Sequence, residues 1–458
     1  MNFIDTNKHV FFVGIGGIGM SGLAEILLEQ GYKVSGSDRT LSEITDYLSA
    51  KGATIYEGHS RENLKKIDLL VYSSAVPQEN PERQEARKQK TPEIRRAEML
   101  ADIMRMKFGV AIAGTHGKTS TTSMAATVVS AAGVDPTIVV GGRLHSMKTN
   151  AKLGKGEILI TEADEYDRSF LALSPAISII TNIDSDHLDI YKDFEDIKNT
   201  FVEFANRTAF YGNVICCIDD EGVRQIIKRI NKPVITYGTQ QQAEFSAGNF
   251  RFSGFGSEFT VFKRGEKIGQ IILHVPGEHN IKNALAVISL GKLLHIPFEI
   301  IQNALEEYRG VERRFELIGS SKGISVIDDY AHHPAEVKAT IKGARNGFSG
   351  RIVAVFQPHL FSRTKDFYRA FANELCAADM VVVTDVYPAR EKPITGITGK
   401  LIVDEIKKQG FDKVFYKADK NEIAAFLIPL LKENDIVITL GAGDINKVGK
   451  EMMHKLNA

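Results

Sequence analysis

The chain has 458 residues, 43% hydrophobic and 25% charged, and its 57 Lys and Arg balance 57 Asp and Glu. That length exceeds what one hydrophobic core supports, so about three domains are expected. The neutral balance gives no reason to expect a nucleic-acid partner, and no charge-free run approaches the length of a membrane span, so no membrane insertion is expected.

The first α/β segment, residues 1–107, starts with an apolar strand at 9–15, a glycine turn, a helix near 20–30 and a strand at 32–38. The opening stretch lacks the basic and apolar regions of a signal peptide. Cys216, Cys217 and Cys376 show no metal-ligand spacing and suit a reducing compartment, so a cytoplasmic protein is expected. The turn reads Gly14-Ile15-Gly16-Gly17-Ile18-Gly19, and Asp38 ends the next strand. This G-x-G-x-x-G pattern lets a diphosphate approach the backbone, with an acid near the ribose. NAD or any nucleotide diphosphate fits it, and so does a tight turn with no ligand. Another strand is expected at 67–74, and 92–107 reads as a helix and linker.

The second segment, 108–315, opens with an apolar strand, then Gly114-Thr115-His116-Gly117-Lys118-Thr119-Ser120, then a helix start. A helix N-terminus presents backbone N–H groups and positive potential to phosphate oxygens. Lys118 adds a mobile cation, and the Thr119 hydroxyl suits Mg²⁺. The full nucleotide-loop pattern wants glycine at 112, where this chain has Ile112. Strands at 156–164 and 176–184 read as buried and parallel, with polar C-terminal ends. The first ends in Glu162-Ala163-Asp164-Glu165-Tyr166-Asp167, where Glu162 is best placed to serve a metal at the loop threonine; an acidic surface turn is the alternative. Asp184, Asp186, His187 and Asp189 follow the second, and a second divalent ion or a structural histidine both fit there.

Residues 243–275 alternate and look antiparallel. Asn280 and Asn283 then share one face of a helix, where amides suit an adenine edge or, for one of them, a helix cap. Arg313 and Arg314 fall at a domain junction and suit a transferring phosphate or an interdomain ion pair. The third segment, 316–458, alternates strands at 324–328, 351–356, 379–384 and 435–440 with helices at 334–345 and 365–377. Strand–helix alternation implies parallel sheets. The polar runs containing Tyr330, His332 and His333, then His359 and Arg363, then Asp385 to Glu391 all follow strands, so one sheet edge can gather them. Adjacent histidines alone do not make a zinc site.

Together these motifs resemble the Mur ligase family. GTHGKT, EADEYDRSF, TNIDSDHLD, GEHNIKNA, RRFE, DDYAHHP, FQPHLFSRT and DVYPAREKPI occur in that family's order along essentially the whole chain. The resemblance implies three α/β domains: a Rossmann-like UDP-sugar domain, a central ATPase of the P-loop type, and a Rossmann-like C-terminal domain. It implies ATP and Mg²⁺ as cofactors and a peptidoglycan-precursor reaction. In the reaction the resemblance implies, ATP would phosphorylate the lactyl carboxylate of UDP-N-acetylmuramate, and the amine of L-alanine would attack the acyl phosphate.

On the resemblance, Gly114 to Ser120 hold ATP, Lys118 takes the β- and γ-phosphates, and Thr119 with Glu162 holds one Mg²⁺. His187 is implied as the second magnesium ligand, Asn280 and Asn283 as adenine contacts, and Arg314 as a catalytic cation. Gly14, Gly16, Gly17, Gly19, Ser37, Asp38, Ser73 and Ser74 resemble the UDP-sugar positions. Tyr330, His332, His359 and Arg363 resemble substrate and amino-acid contacts, with His359 and Arg363 facing the muramyl group. Several members carry a carbamylated lysine; Lys198 sits in the relevant helix at a short offset, and the modification is not expected there. A monomer or weak homodimer is expected. The alternatives are a ligase that recycles a preformed tripeptide onto UDP-N-acetylmuramate, an NAD-dependent oxidoreductase, and a nucleotide-gated binding protein.

Overall fold

The structure is a computed structural model that describes residues 6–141, 151–185, 190–389 and 391–457. The chain forms two compact units. One holds Met1–Ala247, Val261–Gly269 and Lys282–Leu305; the other holds Gly248–Thr260, Gln270–Ile281 and Glu306–Ala458.

The first unit begins with strands β1 (His9–Val13), β2 (Lys33–Asp38), β3 (Thr54–Glu57), β4 (Leu69–Tyr72) and β5 (Glu93–Arg95). They form a parallel sheet in the order β3-β2-β1-β4-β5. Strand order reverses beside β1, and ligands of open α/β sheets bind outside the strand C-termini at such a point. β5 is a departure from the sequence reading: residues 93–95 pair with β4 before the helix Arg96–Arg105 begins. Three residues are too few for a periodic signal, and the edge position supplies their order.

A second sheet follows, from β6 (Phe108–Ala113), β7 (Thr137–Val139), β8 (Ala151–Lys152), β9 (Ile158–Glu162), β10 (Ile177–Ile180), β11 (Asn213–Cys217) and β12 (Val234–Gly238). β6 lies between β9 and β10, both parallel to it, with Ile112 opposite Glu162 and Ala113 opposite Ile180. The strands are apolar on both faces because helices cover both sides. The helix Ile18–Glu29 packs against β7 and β8, and one apolar core joins Met20, Leu23 and Leu27 to Ala113, Val139 and Ala151. Residues 6–107 thus share a compact unit with the phosphate-loop sheet.

Beyond β12 the sheet continues through β13 (Phe245–Ser253), β14 (Gly256–Lys263) and β15 (Glu266–Leu273). Two-residue links join them, and Gly254, Arg264 and Gly265 all have positive φ, as tight hairpins require. The second unit is built on β16 (Glu316–Ser321), β17 (Ile324–Asp329), β18 (Ile352–Phe356), β19 (Met380–Val383), β20 (Val414–Tyr416) and β21 (Ile436–Leu440). Their order is β16-β17-β21-β18-β19-β20, parallel except for β16. Buried aliphatic clusters fill both faces. Among the described residues, no helix is long and apolar enough to cross a membrane.

Candidate functional site

The phosphate loop joins β6 to the helix Lys118–Ala131. Gly114 (φ +137°) and Gly117 (φ +82°) hold backbone that side chains disfavour. A Cβ on Gly114 would lie 2.0 Å from Thr181 Oγ1, and one on Gly117 would lie 2.9 Å from Asn283 Oδ1. Asn283 therefore lies against the loop. Ile112 is a fully buried strand residue, so the turn starts two residues later than the full glycine pattern and uses a shorter loop.

The residues after β10 pin this loop. Thr115 N donates to Asn182 O (3.2 Å) and His116 N to Asn182 Oδ1 (2.8 Å). Thr181 Oγ1 and Asn182 Nδ2 both donate to His116 O, at 2.7 and 2.9 Å. Asp184 N donates to Thr115 Oγ1 (2.9 Å), and the Asp184 carboxylate lies 3.5 Å from His116 Nε2. Thr115 and His116 thus spend their amides on the scaffold. The donors left for phosphate are those of the first helical turn, Gly117 to Ser120, which an α-helix leaves without intrahelical partners. The half-buried Thr119 and Ser120 hydroxyls have no hydrogen-bond partner among the described residues.

Lys118 Nζ turns back into the loop. It contacts Gly114 O (2.6 Å), Thr115 O (3.2 Å) and both oxygens of Glu165 (3.0 and 2.7 Å). Burial works against its charge, but Glu165, Asp164 and Glu162 outweigh that and hold its pKa above the ordinary lysine value. Glu162 ends β9 beside β6, and its Oε1 accepts from Gly141 N (2.7 Å). Tyr191 OH donates to the Glu165 carbonyl (2.5 Å). Asp167 and Arg168, in the same acidic turn, both have positive φ, the backbone strain that accumulates at functional sites.

The loop suits an anionic phosphate, since a cation and orphan amides converge there. The Thr119 hydroxyl and the Glu162 carboxylate are oxygen donors of the kind that Mg²⁺ takes. His187, Asp186 and Asp189 lie outside the described residues. Lys198 Nζ is held by Gln225 Oε1 (2.7 Å) and Glu195 Oε2 (2.6 Å).

The glycine turn after β1 is equally well built. Gly14 (φ +81°) and Ile15 donate to Ser37 O at 2.8 and 3.0 Å, and Gly16 N donates to Asp38 Oδ2 (2.8 Å). A Cβ on Gly16 would lie 2.9 Å from that oxygen. Gly17 caps the helix Ile18–Glu29, and Gly19 lies against Arg96. Ser73 and Ser74 follow β4, with Ser73 Oγ 3.8 Å from a Cβ placed on Gly14. Ser37 requires a correction: its hydroxyl is fully buried and donates to Glu82 Oε2 (2.6 Å), so its side chain supports the turn from below.

In the second unit the sheet edge gathers the expected residues. The Tyr330 and His332 rings lie 5.3 Å apart, His332 and His359 5.8 Å, and His359 stacks on Tyr387 at 5.8 Å. Burial lowers the His332 pKa, with Glu336, 3.3 Å from its Nδ1, opposing that and Arg363 reinforcing it. Arg314 reaches Glu336 (3.6 Å), and its guanidinium lies 5.3 Å from the Tyr330 ring. Leu360, between His359 and Arg363, has φ +68°. His333 meets Phe367 edge-to-face and caps the helix Pro334–Gly347, so the two adjacent histidines have different partners. Asn280 Nδ2 donates to Pro276 O (2.8 Å) at its helix start.

Sequence reasoning gave no individual role to Glu165, Asn182 or Tyr387, and for Arg313 it offered a transferring phosphate or an interdomain ion pair. Arg313 donates to Asp328 Oδ2 (2.9 Å), Gly443 O (3.0 Å) and Gly441 O (2.7 Å), tying the end of β17 to the turn after β21. All four lie inside motifs quoted above, but their partners are distant in sequence.

Three family models match the chain: "Mur ligase family, catalytic domain" over 9–108, "Mur ligase middle domain" over 112–291, and "Mur ligase, glutamate ligase domain" over 313–443. The chain is 50% identical to a UDP-N-acetylmuramate–L-alanine ligase of Geotalea daltonii, over 98% of both chains. It is 48% identical to the enzyme of the same name from Geobacter sulfurreducens, again over 98% of both. Among solved structures, the UDP-N-acetylmuramate–alanine ligase of Thermotoga maritima superposes with a TM-score of 0.83 at 32% identity, covering 98% of this chain and 99% of that one. A murein peptide ligase of Psychrobacter arcticus shares the fold, with a TM-score of 0.70 at 23% identity and the same coverage. With two nucleotide-suited turns and matches that span nearly its whole length, the chain belongs to the Mur ligase family.

Proposed function

We propose that this chain joins L-alanine to the lactyl carboxylate of UDP-N-acetylmuramate at the expense of ATP, as a step of peptidoglycan precursor synthesis. The observation that carries this is the full-length similarity, about half of all positions, to ligases of that name. The phosphate loop supplies the physical basis. Orphan amides from Gly117 to Ser120 cradle the triphosphate, and the Lys118 ammonium offsets charge on the transferring γ-phosphoryl group. That group passes to a carboxylate oxygen, giving an acyl phosphate and ADP. The amine nitrogen attacks the carbonyl carbon, and collapse of the tetrahedral intermediate expels phosphate and leaves the amide. Thr119 and Glu162, with His187 by resemblance, would hold Mg²⁺, which screens phosphate charge. Asn280 and Asn283 are the adenine-side residues, and Arg314 the added catalytic cation.

The glycine turn after β1 takes the UDP diphosphate, with Asp38, Ser73 and Ser74 on its flanks. Tyr330, His332, His359 and Arg363 form the substrate-side cluster. The reaction is placed in the cytoplasm, and the working form is a monomer or weak homodimer. Incubating the protein with ATP, Mg²⁺, UDP-N-acetylmuramate and single amino acids, and weighing the products, tests the assignment. Ligated L-alanine is expected. Ligation of a tripeptide alone would move the chain to the recycling reaction, ATP binding without substrate-dependent ADP release would leave a binding protein, and NAD reduction without ligation would leave an oxidoreductase.

A further inference from the structure

We propose that Arg313 is a positioning residue of the ligase reaction: its guanidinium fork, braced on Asp328 and on the carbonyls of the turn after β21, holds the strained backbone on which Arg314 is mounted as the catalytic cation. The inference rests on the reading that Arg314 acts as that cation.

Arg314 sits between two residues of left-handed backbone, Arg313 (φ +59°) and Phe315 (φ +50°). Neither is a glycine, asparagine or aspartate, the residues that tolerate this region best, so the surroundings must impose it. Arg313 N donates to Glu316 Oε2 (2.7 Å), and Arg314 N donates to Val311 O (3.1 Å). Phe315 N donates to Asp329 Oδ2 (2.9 Å), and Arg313 O accepts from Tyr330 N (2.7 Å). Phe315 is buried, with its ring edge-to-face against Phe255.

The two adjacent arginines are used differently. Arg313 spends its fork on its own chain: Nε donates to Asp328, Nη1 to Gly443 O and Nη2 to Gly441 O. The acceptors are themselves fixed. Asp328 is buried at the end of β17, and Thr439 Oγ1 donates to its other oxygen (2.6 Å). Gly441 has φ +150°, and a Cβ there would lie 2.7 Å from Gln357 O. A planar fork can brace such acceptors together, whereas a lysine offers a point charge on a flexible stem. Arg314 belongs to the substrate-side cluster instead. It reaches Glu336, which accepts from His332 N (3.0 Å) and His333 N (3.2 Å). Both guanidinium groups lie by the Tyr330 ring, at 5.0 Å for Arg313 and 5.3 Å for Arg314. One arginine thus pins the strained turn to the sheet, and the turn carries the other into the cluster.

The test is a double-mutant cycle on the full chain, with kcat and KM read from ligated product by mass in the presence of ATP, Mg²⁺, UDP-N-acetylmuramate and L-alanine. R314A alone should lose about 10²-fold or more in kcat. R313G/D328N removes the fork together with the charge it pairs, and glycine adopts φ +59° without strain. In this variant kcat should fall about tenfold or more while the KM values stay within about twofold, as for an interaction made only in the transition state. In the R314A background the same changes should cost about twofold or less, because a residue that acts through Arg314 has nothing left to position. A merely structural role would multiply its loss onto that of R314A. R313K keeps a cation beside Asp328 and should show the same pattern; it is scored in place of R313G/D328N if melting curves show the latter unfolded. Wild-type kcat in the scored variant, or an undiminished loss in the R314A background, overturns the role of Arg313. Wild-type turnover in R314A would instead remove Arg314 as the catalytic cation, and the inference with it.

Discussion

Replacing Lys118 with Met separates two roles that the structure gives one ammonium. In the loop, Nζ neutralises Glu165, with side chains only 16% and 4% exposed. Removing one partner of a buried ion pair costs about 3–5 kcal/mol, because the other charge stays buried without it. During turnover the same ammonium faces phosphate, and loss of such a preorganised electrostatic contact costs about 10²-fold or more in kcat, near 3 kcal/mol. K118M is therefore expected to lower both thermal stability and turnover, whereas K118M/E165Q should regain most of the stability and none of the activity. Melting curves without nucleotide, read beside substrate-dependent phosphate release, check both halves. Near-normal turnover in K118M would refute the phosphate role. An equal loss of stability with and without the Glu165 carboxylate would refute the pairing.

Glu162→Gln should raise the Mg²⁺ concentration needed for half-maximal activity, and an unchanged magnesium titration would remove Glu162 from the metal site. Gly114→Ala forces a Cβ to within 2.0 Å of Thr181 Oγ1 at φ +137°, so ATP binding should be lost while the glycine turn after β1 still binds UDP; retained ATP affinity would contradict the loop geometry. Asp329 is pushed up to about 6, chiefly by burial, with Arg314 opposing. The folded chain then holds more protons than the unfolded one between about pH 4 and 6, so this group's contribution falls by up to about 3 kcal/mol as pH rises through that window and is flat above it. Urea midpoints of wild type and D329N at pH 4.5 and 7 read this directly, and an identical pH dependence in the two would count against it.

Much of the site was legible because its chemistry is local. A strand, a glycine turn, Lys-Thr and a helix start must follow one another in the chain to cradle phosphate, so Gly114 to Ser120 stood out. The turn from Gly14 to Gly19 did so for the same reason. What escaped was set by partners distant in sequence. Four acids crowd into residues 162–167, and only the fold shows that Glu165 is the one gripping Lys118. Ser37 read as a ligand contact, but both faces of β2 are buried, so no alternation revealed that its hydroxyl turns inward to Glu82. Asn182 and Arg313 act by reaching backbone carbonyls and amides that sequence pattern does not locate.

The acyl phosphate is the central chemical claim, and oxygen labelling tests it most directly. UDP-N-acetylmuramate carrying ¹⁸O in both lactyl carboxylate oxygens should transfer one labelled oxygen to the released phosphate and keep the other in the amide carbonyl. Unlabelled phosphate in the presence of ligated product would contradict the account.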